Sequence, residues 1–120
     1  MLTRLLRLFR QYPSVKLNVL IYREDDEWVA NCLQMDLVAT GKTQRDVEGD
    51  ILDLIKSQVV YAIENDNLGF IFKPAPPEEW AKLQMAQKCG SRRIKIDIPD
   101  NKKENKKHSP ISEVELCFAC

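Results

Sequence analysis

The only histidine of this 120-residue chain, His108, stands in a run of lysines and asparagines. A general base needs a fixed position and a geometrically suited partner, and that run offers neither, so His108 reads as a solvated loop residue. Cys117-Phe118-Ala119-Cys120 has the C-x-x-C spacing that binds zinc or cycles as a dithiol. A structural zinc site takes four Cys or His ligands in paired spacings, and the sequence supplies a single such pair. Asp46, Asp50 and Asp53 recur at i, i+4, i+7, which on a helix puts three carboxylates on one face where they could meet a cation. The solvated side of an amphipathic helix accounts for them equally well. Arg92-Arg93-Ile94-Lys95, followed by Lys102, Lys103, Lys106 and Lys107, is the strongest nucleic-acid candidate. It lacks interleaved aromatics for base stacking, apart from Phe118. There is no glycine-rich phosphate loop, nucleophile elbow or Walker sequence. The expectation is no enzyme, no catalytic residue, no cofactor and no metal.

The overall balance, 18 bases against 18 acids, excludes a basic protein that coats nucleic acid, and 44% hydrophobic residues exclude a disordered chain. The balance conceals an asymmetry. Residues 1–22 carry four bases and no acid, residues 23–72 four bases and 11 acids, and residues 73–120 ten bases and seven acids. An acidic middle between basic ends points to a polar partner surface or to pairing of the ends with the middle. No apolar run reaches the ~18–20 residues of a membrane span. Four cysteines without a secretory signal predict free thiols and a cytoplasmic protein.

The elements that would position these residues follow from periodicity. Leu2, Leu5, Leu6 and Phe9 form an apolar stripe flanked by arginines, a short amphipathic arm over residues 1–12. Val15 to Tyr22 alternates as a strand with Leu17, Val19 and Ile21 on one face; a charged turn follows, then a second strand from Trp28 to Leu33 that so short a loop makes antiparallel. Leu37–Thr40 is a third strand ended by Gly41. Thr43-x-x-Asp46 caps a long amphipathic helix carrying Val47, Ile51, Leu54, Ile55 and Ala62, which ends near Asn65 to Gly69. Phe70-Ile71-Phe72 reads as a short strand or anchor, Pro77 opens a short helix to Lys88, and Arg92–Pro99 and Val114–Phe118 form a late strand pair. The fold expected is α+β: an antiparallel three- to four-stranded sheet with one long helix packed on it (β-β-β-α-β), plus the N-terminal short helix and the C-terminal strand pair. The chain divides into an arm at 1–12, a core at 13–90 and a basic strand extension at 91–120.

The string Trp28-Val29-Ala30-Asn31-Cys32-Leu33-Gln34-Met35-Asp36-Leu37-Val38-Ala39-Thr40-Gly41-Lys42-Thr43, with the long helix after it, resembles the HicB-like family. That family shows a strand ending in a small residue, Cys and Leu, then a short strand, then Gly-x-Thr opening an amphipathic helix. Val47 stands where the family commonly has alanine. The resemblance, over about half the chain, implies a partial ribonuclease H-like fold without that enzyme's catalytic carboxylates. It also implies an antitoxin role, masking a small RNA-cleaving HicA-like toxin, with a homodimer or higher homo-oligomer. The C-terminal DNA-reading helices of many members have no counterpart after Ile98-Pro99. The candidate partner surface comprises Trp28, the helix acids Asp46, Asp50 and Asp53, and Arg92 and Arg93. Trp28 reads first as packing. The alternatives are a stand-alone protein of this fold with another role, or nucleic-acid binding through the basic C-terminal strands.

Overall fold

The computed structural model describes residues 14–96 and 113–120. The N-terminal arm and the loop with His108 and its lysines lie outside the described residues. Along the chain run β1 (Ser14–Glu24), β2 (Glu27–Cys32), β3 (Leu37–Gly41), α1 (Gln44–Glu64), a 3-10 turn (Leu68–Ile71), α2 (Pro77–Met85), β4 (Lys88–Lys95) and β5 (Glu113–Ala119).

Local chemistry accounts for most of the boundaries. Asp25 and Asp26 both take positive φ (53° and 66°), the pair of left-handed positions a tight hairpin needs between β1 and β2. Gly41 ends β3 because α1 starts on top of it: a Cβ there would lie 3.2 Å from Val47 Cγ1. Thr43 is the N-cap, its Oγ1 accepting from the Asp46 N–H at 3.1 Å. At the far end the Asn67 N–H donates to Ala62 and the Asp66 N–H to Ile63, with Asp66 left-handed at φ 55°, which closes the last turn as a Schellman motif.

The fold is α+β, as expected, with one long helix on the sheet. The sheet itself is larger than three or four strands and is mixed. Its order is β3-β2-β1-β5-β4, with every neighbouring pair antiparallel except β1 and β5, which run parallel from Ser14↔Glu113 to Leu20↔Ala119. The late strand pair does form a hairpin, but it is continuous with the main sheet through β5. β4 begins at Lys88, earlier than the alternating run at Arg92 indicates, and carries a bulge between Lys88 and Gly90. Phe70 and Ile71 belong to the 3-10 turn, closed by the Phe70 N–H donating to Asn67 at 3.0 Å, so no strand forms there.

α1 buries Val47, Ile51, Ile55 and Val59 against the sheet face made by Leu17, Val19, Cys32, Leu116 and Phe118. Each such side chain contributes roughly 1.5–3 kcal/mol on transfer from water. The opposite face is covered over Leu20, Leu33 and Ala119 by Ala75, Trp80, Leu83 and Ala86, in and around α2. The two layers leave both sheet edges, β3 and β4, without a neighbouring strand among the described residues.

Candidate functional site

A polar clamp fastens α2 to the sheet. Tyr22 in β1 and Asn31 in β2 point to the face that α2 covers, and Glu79 reaches down between them. Its Oε1 accepts from the Tyr22 hydroxyl at 3.2 Å and from Asn31 Nδ2 at 3.1 Å, while Lys82, one turn on, donates to Oε2 at 2.9 Å. The Lys82 ammonium also stands 4.0 Å from the centre of the Tyr22 ring. Burial works to raise the Glu79 carboxyl, but the hydrogen bonds from Lys82 and Asn31 prevail and hold it below its ordinary range. The Lys82 amine is raised first by its bond to Glu79, and the Tyr22 phenol first by burial, then by the Glu79 charge. Asn31 is 3% exposed, and its Oδ1 has no hydrogen-bond partner among the described residues. The clamp is thus an ion pair with neutral hydrogen-bond donors, suited to holding a helix in place.

Its pH dependence follows. Glu79's pKa is depressed in the folded state, so its contribution is present above the ordinary value of 4.5 and is lost as pH falls through the lowered one. Lys82 and Tyr22 are raised, so theirs is present below 10.5 and 10.0 and is lost as pH rises beyond. The Trp80 indole, which donates to the Ala75 carbonyl at 3.1 Å, reports on this seat. In a Trp28→Phe background, acidification to about pH 3 is expected to shift Trp80 emission to the red, and Glu79→Gln is expected to remove that step. Emission that stays constant from neutral to acid pH would refute the clamp.

Beside the clamp lies a cavity of about 430 Å³, lined by Leu20, Tyr22, Arg23, Glu24, Lys82, Met85, Ala86 and Cys120, with Ile21. Met85 is 86% exposed at its rim.

The structure spreads the residues singled out by sequence over several surfaces. Trp28 is half-buried in β2, packed against the α1-side core, with the Arg23 guanidinium 5.4 Å from its ring centre. Asp46 is exposed in the first turn of α1. Asp50 and Asp53 are exposed and line a second cavity, about 400 Å³, with Ala39 and Thr40 of β3. Arg92 and Arg93 lie on β4, at the opposite edge of the sheet, and as consecutive strand residues they face opposite sides. Arg93 pairs with Glu113 at 3.5 Å; Arg92 lines a third cavity with Gln44, Arg45, Glu48, Gly49 and Leu52.

The cysteines depart from expectation. Cys120 is bonded to Cys89 in a disulfide, so Cys117 and Cys120 are not a dithiol pair. The reason is strand geometry: residues three apart on an extended chain face opposite sides. Cys89, the extra residue of the β4 bulge between Lys88 and Gly90, lies with its Cα 5.9 Å from that of Cys120, within reach of a disulfide. Cys117 remains a thiol, as does Cys32, whose burial pushes its pKa up to about 11 and leaves it inert. No group of three or more metal-ligating side chains occurs among the described residues.

Sequence reasoning missed Tyr22, Asn31, Glu79, Lys82 and Met85. A signal existed in Asn31, a polar residue inside the apolar run of β2, and in the Glu79/Lys82 spacing of one helical turn. The architecture these observations define is an α+β domain with a mixed five-stranded sheet, a long helix on one face and a clamped short helix on the other. No family model, curated protein or solved structure matches the chain. No helix among the described residues is long and apolar enough to cross a membrane.

Proposed function

We propose that this chain is a non-enzymatic protein-binding module of the HicB-like type, an antitoxin that masks a small, basic, RNA-cleaving HicA-like toxin and associates with itself. One observation supports the reading above the others. At the β3 edge, backbone groups without a neighbouring strand among the described residues, the exposed Leu54 (37%) and the acidic side of α1 come together. Asp50 and Asp53 line the cavity there with Leu54 and Ser57, and neither aspartate joins an ion pair among the described residues. An open strand edge is a template for another chain, and an adjacent acidic, partly apolar flank selects a basic one. The strand order along the chain up to α1 is also the one the family resemblance implies.

Affinity capture with the tagged protein from its own host, read by mass spectrometry with the native mass, is expected to return a small basic protein at stoichiometric ratio. Asp50→Lys with Asp53→Lys is expected to reduce its retention about tenfold or more. Recovery of self-oligomer alone would sink the toxin-masking reading.

A second reading draws on β4, where Lys88, Arg92, Arg93 and Lys95 are exposed and the strand holds no acid. Binding to single-stranded RNA that weakens steeply with added salt would support it over the first.

A further inference from the structure

We infer that the Cys89–Cys120 bond is a thiol-exchange site and a latch: a dithiol reductant attacks the sulfur of Cys89, Cys120 leaves as the thiolate, and the tail of α2 is freed from β5. The site lies away from the β3 edge and is independent of the antitoxin reading.

The two sulfurs stand in different surroundings. Gln44 Nε2 donates to Cys120 Sγ at 3.8 Å. Gln44 is the first residue of α1, so charge released on Cys120 develops toward the positive end of that helix. The cavity beside Gln44 is lined also by Arg45, Glu48 and Arg92, two guanidiniums against one carboxylate, and Glu48 Oε2 is itself engaged by Gln44 at 3.2 Å. Cys89 has no such support. It is the extra residue of the bulge between Lys88 and Gly90, it is exposed, and no side-chain donor reaches its sulfur among the described residues. A disulfide opens fastest where the leaving sulfur is the better thiolate and the attacked one is accessible. Both conditions select Cys89 for attack and Cys120 for departure.

In the exchange, a thiolate of the reductant bonds to Cys89 Sγ as the Cys89–Cys120 bond breaks. The electron pair goes to Cys120, which takes a proton from water. The second thiolate of the reductant then displaces Cys89, which is protonated in turn. The reductant ends as a disulfide, and the chain ends as two thiols, richer by two electrons and two protons. What is released is the join between α2 and β5. α2 contains no fully buried residue, ends at Met85, and passes through Ala86 and Gln87 straight into β4. The Gln87 N–H donates to the Cys120 carbonyl at 3.1 Å and the Cys120 N–H to the Gln87 carbonyl at 2.9 Å. The bond to Cys89, two residues on, holds that exchange in place across the bulge. Once it opens, the tail is kept on β5 by these two backbone bonds and the Lys88↔Ala119 pairing, on the far side of the bulge from the ladder that resumes at Gly90↔Phe118.

The choice of sulfur is tested with glutathione on the intact protein. Free thiols are blocked first with N-ethylmaleimide, and thiols released during a short exposure are captured with iodoacetamide. Peptide mapping is expected to find glutathione on Cys89 and the acetamide on Cys120, in about threefold excess or more over the reverse. Gln44→Leu, at a half-buried position of the first turn, is expected to bring the two products close to parity. Glutathione mainly on Cys120, equal amounts on both in the wild type, or an excess that Gln44→Leu leaves unchanged overturns the assignment. The latch is read by amide hydrogen exchange with and without dithiothreitol. The Gln87 and Cys120 amides are expected to exchange about tenfold faster or more after reduction, while the ladder from Val19↔Cys32 to Tyr22↔Val29 keeps its protection. Unchanged exchange at Gln87 overturns the latch, and so does loss of protection across the whole sheet. The Cys89→Ser, Cys120→Ser double variant is expected to show the reduced pattern with no reductant present, and retention of the oxidised pattern overturns the latch as well.

Discussion

Reduction of the Cys89–Cys120 bond is expected to lower the unfolding free energy by about 3–4 kcal/mol, a large share of the ~5–15 kcal/mol of an ordinary domain. The bond joins residues 31 apart in sequence, and its main effect in the chain-entropy account is to restrict the unfolded chain. It also adds to the folded state, because it ties the start of the edge strand β4 to the end of β5. That is where the bulge between Lys88 and Gly90 weakens the ladder. The expected loss corresponds to a fall in Tm of roughly 10–15 °C at this chain length. Thermal melts with and without a phosphine reductant measure it, and a Cys89→Ser, Cys120→Ser double variant should melt low in both. Equal melting temperatures for the oxidised and reduced wild type would show that the bond closes no constraining loop. Both cysteines are exposed, so the loss is accessible to any thiol reductant in solution.

What could be read from sequence was what local chemistry encodes. Thr43 and Asp46 announced the start of α1, the charged run from Arg23 to Glu27 marked the turn of the first hairpin, and the helical spacing of Val47, Ile51, Ile55 and Ala62 identified the buried side of the helix, although Leu54, read with them, is exposed. Each of those signals is carried by residues within a few positions of one another. The parallel pairing of β1 with β5 has no such signature, since it joins segments from nearly opposite ends of the chain and no turn connects them. β5 therefore read as part of an appended hairpin, although it is an interior strand. The same distance dependence explains the site. Tyr22, Asn31 and Glu79 meet only because α2 folds back over the sheet. The expectation of free thiols failed for a related reason: Cys89 and Cys120, 31 residues apart, meet only through the pairing of β4 with β5, while Cys32 and Cys117 remain thiols.

Because β5 is the least local element of the fold, a cavity made in it is the most direct test of the architecture. Leu116 is fully buried on the α1 side of β5, in register with Leu17 of β1 on one flank and Arg92 of β4 on the other. Leu116→Ala removes three carbon atoms' worth of packing from a site that strands on both sides keep from collapsing, and is expected to cost about 3–4 kcal/mol. Leu54→Ala, on the partly exposed side of α1, should cost well under half of that. Urea unfolding at constant slope separates the two, since a loss of native packing moves the midpoint while leaving the surface exposed on unfolding unchanged. A cost below about 1 kcal/mol at Leu116 would mean that β5 does not lie between β1 and β4. The Leu116 and disulfide effects should also fall short of additivity when combined. Both act on β5, and a strand already loosened by reduction has less packing left to lose.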